Sequence, residues 1–122
     1  MKAIDKLLIP AEEALVRVRM NKGKNVSLVQ ESTISQTKVG AIAGFGAMVI
    51  NIGLLPTLAV FRANNNEILE ALEEVSNSTF EHVKTNNNNL VQKRLLTEKF
   101  VNASVALKIM ARTFNIQKDD NI

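Results

Sequence analysis

Few residues of this chain could make or break bonds. His82 is its single histidine, and it has no cysteine, tryptophan or tyrosine. An imidazole acts as general base or metal ligand when a second group orients it, and the pattern around His82 supplies none. Without cysteine there is no disulfide framework and no cysteine zinc centre. No Asp/Glu pair falls in a plausibly buried cleft. Gly40, Gly44 and Gly46 match no Walker or dinucleotide loop, because they lie inside a helical pattern instead of after a strand. The expectation is a protein that is not an enzyme, with no catalytic residue, metal or cofactor.

The chemistry left is that of charge. Net charge is +3, but its distribution says more. Residues 1–64 carry 8 Lys/Arg against 4 acids, residues 65–83 carry 5 Glu and no base, and residues 84–118 carry 7 bases against 1 acid. An acidic segment between two basic ones suggests separate surfaces for separate partners. Basic side chains attract nucleic-acid phosphates whatever the sequence. Base readout of single strands also needs aromatic platforms, and all five phenylalanines fall on predicted core stripes. Backbone tracking is therefore expected, not sequence-specific binding.

The elements that must carry these charges follow from periodicity. Ile4, Leu7, Leu8, Ala11, Ala14, Leu15 and Val18 share a stripe, predicting one helix over about 2–21, kinked at Pro10, with Arg17 on its outer face. The alternative is a helix that begins at Pro10. Residues 21–33 have no sustained period and predict a loop. Asn64 and Glu67 have the spacing of a capping box, opening an acidic amphipathic helix over about 66–84. Its apolar stripe includes Ile68, Leu72, Val75, Phe80 and Val83. Glu67, Glu70, Glu74 and Glu81 lie opposite, as a solvated face or a docking surface for a basic protein. Asn86–Asn89 predicts a loop. A last helix over about 90–115 has its core at Leu96, Phe100, Ala103, Leu107, Met110, Ala111 and Phe114. Arg94, Lys108 and Arg112 lie on its other side, among Val101 and Val105. No strand-period segment of useful length is present.

The centre of the chain is the uncharged stretch Val39–Phe61 between Lys38 and Arg62. It is long enough to span a bilayer, and Gly40-x-x-x-Gly44 has the spacing of close-packed membrane helices. Gly46, Asn51, Gly53 and Pro56 would interrupt such a span. With Gly53 ending one helix and Pro56 early in the next, the stretch reads better as a buried hairpin over about 35–63. Ile34, Ala41, Phe45, Met48 and Ile52 would form its bulky seam. Gly40, Gly44, Ala47 and Asn51 would form a small-residue face for another helix, so that both faces are buried. The N-terminus is broken by Asp5, Pro10, Glu12 and Glu13 and does not read as a signal peptide. The expected fold is all-α: residues 1–122 as one compact bundle of five or six helices with a kinked apolar central hairpin, in the cytoplasm.

The run Phe45-Gly46-Ala47-Met48-Val49-Ile50-Asn51-Ile52-Gly53-Leu54-Leu55-Pro56-Thr57-Leu58-Ala59-Val60-Phe61 resembles a signature of the small subunit of type III-B (Cmr-type) CRISPR effector complexes, in which an "FGA-I----GLLPTLAF" stretch joins two central helices. Leu107-x-x-x-Ala111-Arg112-Thr113-Phe114 resembles that family's C-terminal helix, and Leu8-Ile9-Pro10 its start. The resemblance implies a non-catalytic helical subunit, several copies of which stack into the inner filament of an antiviral ribonucleoprotein. Its partners would be other subunits of the complex, neighbouring copies of itself, and the guide and target RNA, with no membrane. Arg112 falls on the family's basic position, and Lys38 and Arg62 match it more loosely. The family's aromatic residues before the Phe-Gly pair are missing here, which leaves Lys38 as a bare charge. The expected RNA-backbone contacts are Lys38, Arg62, Arg94, Lys108, Arg112 and Arg17, the last together with Arg94 and Lys108 being chosen from helical faces. Glu67, Glu70, Glu74 and Glu81 are the expected protein contacts. The alternatives are a helical protein–protein adaptor without nucleic acid and a single-span membrane protein through 39–61.

Overall fold

A computed structural model describes residues 2–21 and 23–118. Helices dominate it: α1 (Lys2–Asp5), α2 (Leu8–Val16), α3 (Gln36–Ile52), α4 (Leu54–Asn64), α5 (Asn66–Ser76), α6 (Phe80–Thr85) and α7 (Leu90–Ala111). Two small sheets accompany them. β1 (Arg19–Asn21) pairs antiparallel with β2 (Lys24–Val26). β3 (Val29–Gln30) pairs antiparallel with β4 (Thr33–Ser35), and β4 pairs in parallel with β5 (Asn115–Gln117).

The pillar of the fold is α7, against which α3, α2, α5 and α1 all pack. Leu96, Phe100, Ala103, Ala106, Leu107 and Ala111 of α7 are buried, and its inward alanines let neighbouring backbones come close. Asn89 caps the helix, its side-chain oxygen accepting the Gln92 N–H at 3.1 Å. The expected core stripe is present, but the helix stops at Ala111 and not near 115. Phe114 lies beyond it, half-buried, in the turn that leads into β5.

The central stretch folds as two helices broken at Gly53. Gly53 has φ +91 and ψ 163, a conformation open essentially to glycine alone. Its N–H bonds to the Val49 carbonyl at 2.8 Å, and its carbonyl accepts both the Thr57 N–H (3.2 Å) and the Thr57 hydroxyl (2.7 Å). The rings of Phe45 and Phe61 meet edge-to-face at 5.3 Å and tie α3 to α4. Among the described residues no helix is long and apolar enough to cross a membrane. The single-span alternative therefore has no helix to carry it.

Several expectations are corrected. The first helix does not run from 2 to 21. It breaks at Lys6–Leu7, and α2 ends at Val16, with Arg17 already extended (ψ 132). Pro10 falls in the first turn of α2, where no intrahelical N–H is required, so it causes no kink. The expected loop over 21–33 is two hairpins. In the second, Glu31 and Ser32 both take positive φ (52° and 63°), as a two-residue type I′ turn requires. The inward seam of α3 is Val39, Ile42, Phe45 and Val49, while Ala41 and Met48 are half-buried and Ile52 is exposed. Ile34 is buried, but from β4.

The small-residue face is not buried either. Gly40, Gly44, Ala47 and Asn51 are exposed, together with Ala43 and Ile50, the latter 84 % accessible. A Cβ added at Gly40 or Gly44 would meet nothing within 4 Å. The capping box does not form, because Asn64 belongs to α4 and the N-cap of α5 is Asn65, without a side-chain bond. The acidic helix is two helices, parted where Asn77 adopts a left-handed conformation (φ 55). Thr79 then caps α6 by accepting the His82 N–H at 3.0 Å.

Candidate nucleic-acid interface

The six expected phosphate contacts divide into two sets. In the first, each cation already has an anion. Arg17 Nε lies 3.1 Å from Glu74 Oε2, Lys38 Nζ 3.5 Å from Glu67 Oε2, and Arg62 Nη1 3.8 Å from Glu81 Oε2. Arg62 also sits over the Phe80 ring at 5.0 Å, and Lys84 shares both that ring and Glu81. Lys38 lines an open polar cleft of about 600 Å³ together with Lys118 and Glu31. An exposed ion pair contributes at most about 1 kcal/mol, yet the opposite charge offsets the field that the cation offers to an incoming phosphate.

The second set is Arg94, Lys108 and Arg112, none of which has an acidic side chain within 4 Å among the described residues. All three belong to α7, counting its C-cap Arg112, which keeps helical backbone angles. Arg94 and Lys108 are almost four whole turns apart, and Lys108 and Arg112 just over one turn. The three side chains therefore project from one side of the helix along about 27 Å of its axis. Arg94 and Arg112 are exposed and Lys108 is half-buried. Lys93, one residue from Arg94, is exposed as well and unpaired among the described residues. Val101 and Val105, expected as exposed contacts between these cations, are half-buried against the core. Sequence periodicity places the row; only the tertiary pairing separates it from the other three expected contacts, which are ion-paired.

The acidic surface is likewise rearranged. Glu67, Glu74 and Glu81 each face a cation of their own chain, and Glu70 directs Oε1 into a buried place without a hydrogen-bond partner. Three of the four carboxylates thus face cations of their own chain, and they do not form one uninterrupted acidic patch.

One residue unannounced by the sequence organises this region. Arg19, on β1, is buried, and its Nη1 donates to the carbonyls of Ala14 (2.9 Å) and Arg17 (3.3 Å). Its Nη2 lies 2.9 Å from Glu74 Oε2 as an ion pair, not as an aligned hydrogen bond. A charge inside the expected helix stripe would have marked it only if the helix were already known to end at Val16.

His82 is exposed, with Asn86 Nδ2 at 3.4 Å from its ring nitrogens as its side-chain neighbour. Among the described residues no three His, Cys, Asp or Glu side chains gather as metal ligands do. No family model, no curated protein and no solved structure matches this chain.

Proposed function

We propose that this chain is a non-catalytic subunit of a cytoplasmic ribonucleoprotein and that it holds RNA by its phosphate backbone along α7. The observation that carries the reading is the row Arg94, Lys108 and Arg112: three cations on one helix side, unneutralised while the other expected cations are ion-paired. Such a row attracts phosphates without reading bases, in keeping with phenylalanines that are buried or half-buried and offer no stacking platform. The resemblance of Phe45–Phe61 narrows the proposal to the small subunit of a type III-B CRISPR effector complex, with guide and target RNA and neighbouring subunits as partners in antiviral defence.

Gentle purification of the tagged chain from its own host tests this. Large partner subunits together with a short RNA of discrete length are the expected result. Recovery of protein partners without RNA would overturn it and leave the second reading, a protein–protein adaptor. That second reading is favoured by the uncharged, exposed outer face of α3 around Gly44 and Ile50.

A further inference from the structure

On the amino-terminal half of α7, surface that the core does not use is gathered on one side. No residue of this helix before Leu96 is buried, and Leu90 and Val91 are 77 % and 68 % exposed. Arg94 and Glu98 are exposed one turn apart, yet they form no ion pair within the chain among the described residues. A base preceding an acid by four residues is the less favourable order for pairing along one helix. Leu90, Arg94, Glu98 and Val101 line one open groove of about 530 Å³.

We propose that this face pairs with the same face of a second copy, the two α7 helices running antiparallel about a two-fold axis level with residue 96. Around such an axis, residues equidistant from position 96 and on one flank face each other. Arg94 of each copy then meets Glu98 of the other, with the exposed Leu90 and Val91 at either end. A closed two-fold contact is one in which a single patch complements itself, and this patch does so by charge. The direction follows from the same charges, because a parallel pair would set Arg94 against Arg94 and Glu98 against Glu98. The stretch from Leu90 to Val101 is about 18 Å long, so the contact is at the small end of protein interfaces and is reversible. It needs no nucleic acid and leaves Lys108 and Arg112 free; only at Arg94 do the two contacts compete, and sedimentation without nucleic acid reads the pairing alone.

Sedimentation equilibrium of the full chain, freed of nucleic acid, tests it between about 10 µM and about 1 mM, the range in which weak contacts associate. The weight-average mass is expected to rise from 13.5 kDa towards twice that value and no further. Glu98→Arg should hold it at the monomer mass with helicity unchanged, and the exchange Arg94→Glu with Glu98→Arg should restore the rise. A wild-type chain monomeric throughout overturns the proposal. So does a rise indifferent to Glu98→Arg, a double exchange that stays monomeric, or growth beyond the dimer.

Discussion

Arg19 Nη2 lies 2.9 Å from Glu74 Oε2, and the same oxygen takes Arg17 Nε at 3.1 Å, yet the two arginines are in opposite situations. The Arg19 side chain is 6 % exposed and that of Arg17 57 %. One carboxylate from α5 thus compensates a buried guanidinium that joins β1 to the end of α2. Removing one partner of a buried pair leaves an uncompensated charge and costs about 3–5 kcal/mol, whereas an exposed pair is worth about 0–1 kcal/mol. Glu74 is itself about a third exposed, which moves the expectation to the lower end. Glu74→Gln should cost about 3 kcal/mol in urea unfolding and Arg17→Ala under about 1 kcal/mol. Equal losses in the two variants would refute the assignment. Charge reversal at Glu74 is accordingly a test of folding, not of docking.

That pair also marks where the sequence stops being readable. The breakers at Gly53 and Pro56 announced the α3–α4 hairpin, and the 3.6-residue spacing of Leu96, Phe100, Ala103 and Leu107 announced α7, because both are written in local periodicity. The β3–β4 turn was illegible because Glu31 and Ser32 take positive φ without the Asn-Gly signal that usually marks such turns. β5 has three residues, all exposed, and exists only because β4 is beside it. The absence of charge over Val39–Phe61 suggested burial on two faces; apolar or uncharged residues are common on protein surfaces, and the outer face of α3 is such a case. Lys38 and Arg94 look alike in sequence. Only the position of Glu67, brought by α5, separates a paired cation from a free one.

Gly53 is held where L side chains are strained, at φ +91. A Cβ there would meet Pro56 Cδ at 3.7 Å, an ordinary contact, so the cost of a substitution is conformational and not steric. Gly53→Ala should lower stability by about 1–3 kcal/mol and disturb the bonds that its backbone makes to Val49 and Thr57. Thermal unfolding with helicity measured below the transition checks this. An unchanged midpoint would show that the junction can relax without glycine.

RNA binding should separate the two sets of cations. Each of Arg94→Ala, Lys108→Ala and Arg112→Ala should weaken binding about equally across sequences and reduce the salt slope by about one. Lys38→Ala should leave the slope nearly unchanged, since Glu67 opposes its charge, and Arg17→Ala and Arg62→Ala should change it by less than the α7 set, since Glu74 and Glu81 each face two cations. Filter binding of a short single strand at several salt concentrations measures both. Losses that depend on base sequence, or a slope governed by the paired set, would contradict the α7 interface.

Gly40 and Gly44 stand in the interior of α3 with nothing within 4 Å of the position a Cβ would take. Glycine in a helix interior costs about 0.8–1.0 kcal/mol relative to alanine, so Gly40→Ala and Gly44→Ala should each stabilise the isolated chain by up to that amount. If the uncharged outer face of α3 seats a protein partner, the added methyl groups hold that partner's backbone away. The two readings then separate in one pair of variants. A raised unfolding midpoint with undiminished partner recovery from the host assigns the face to solvent. A raised midpoint with the partner lost assigns it to docking, and a lowered midpoint would contradict the open outer face itself.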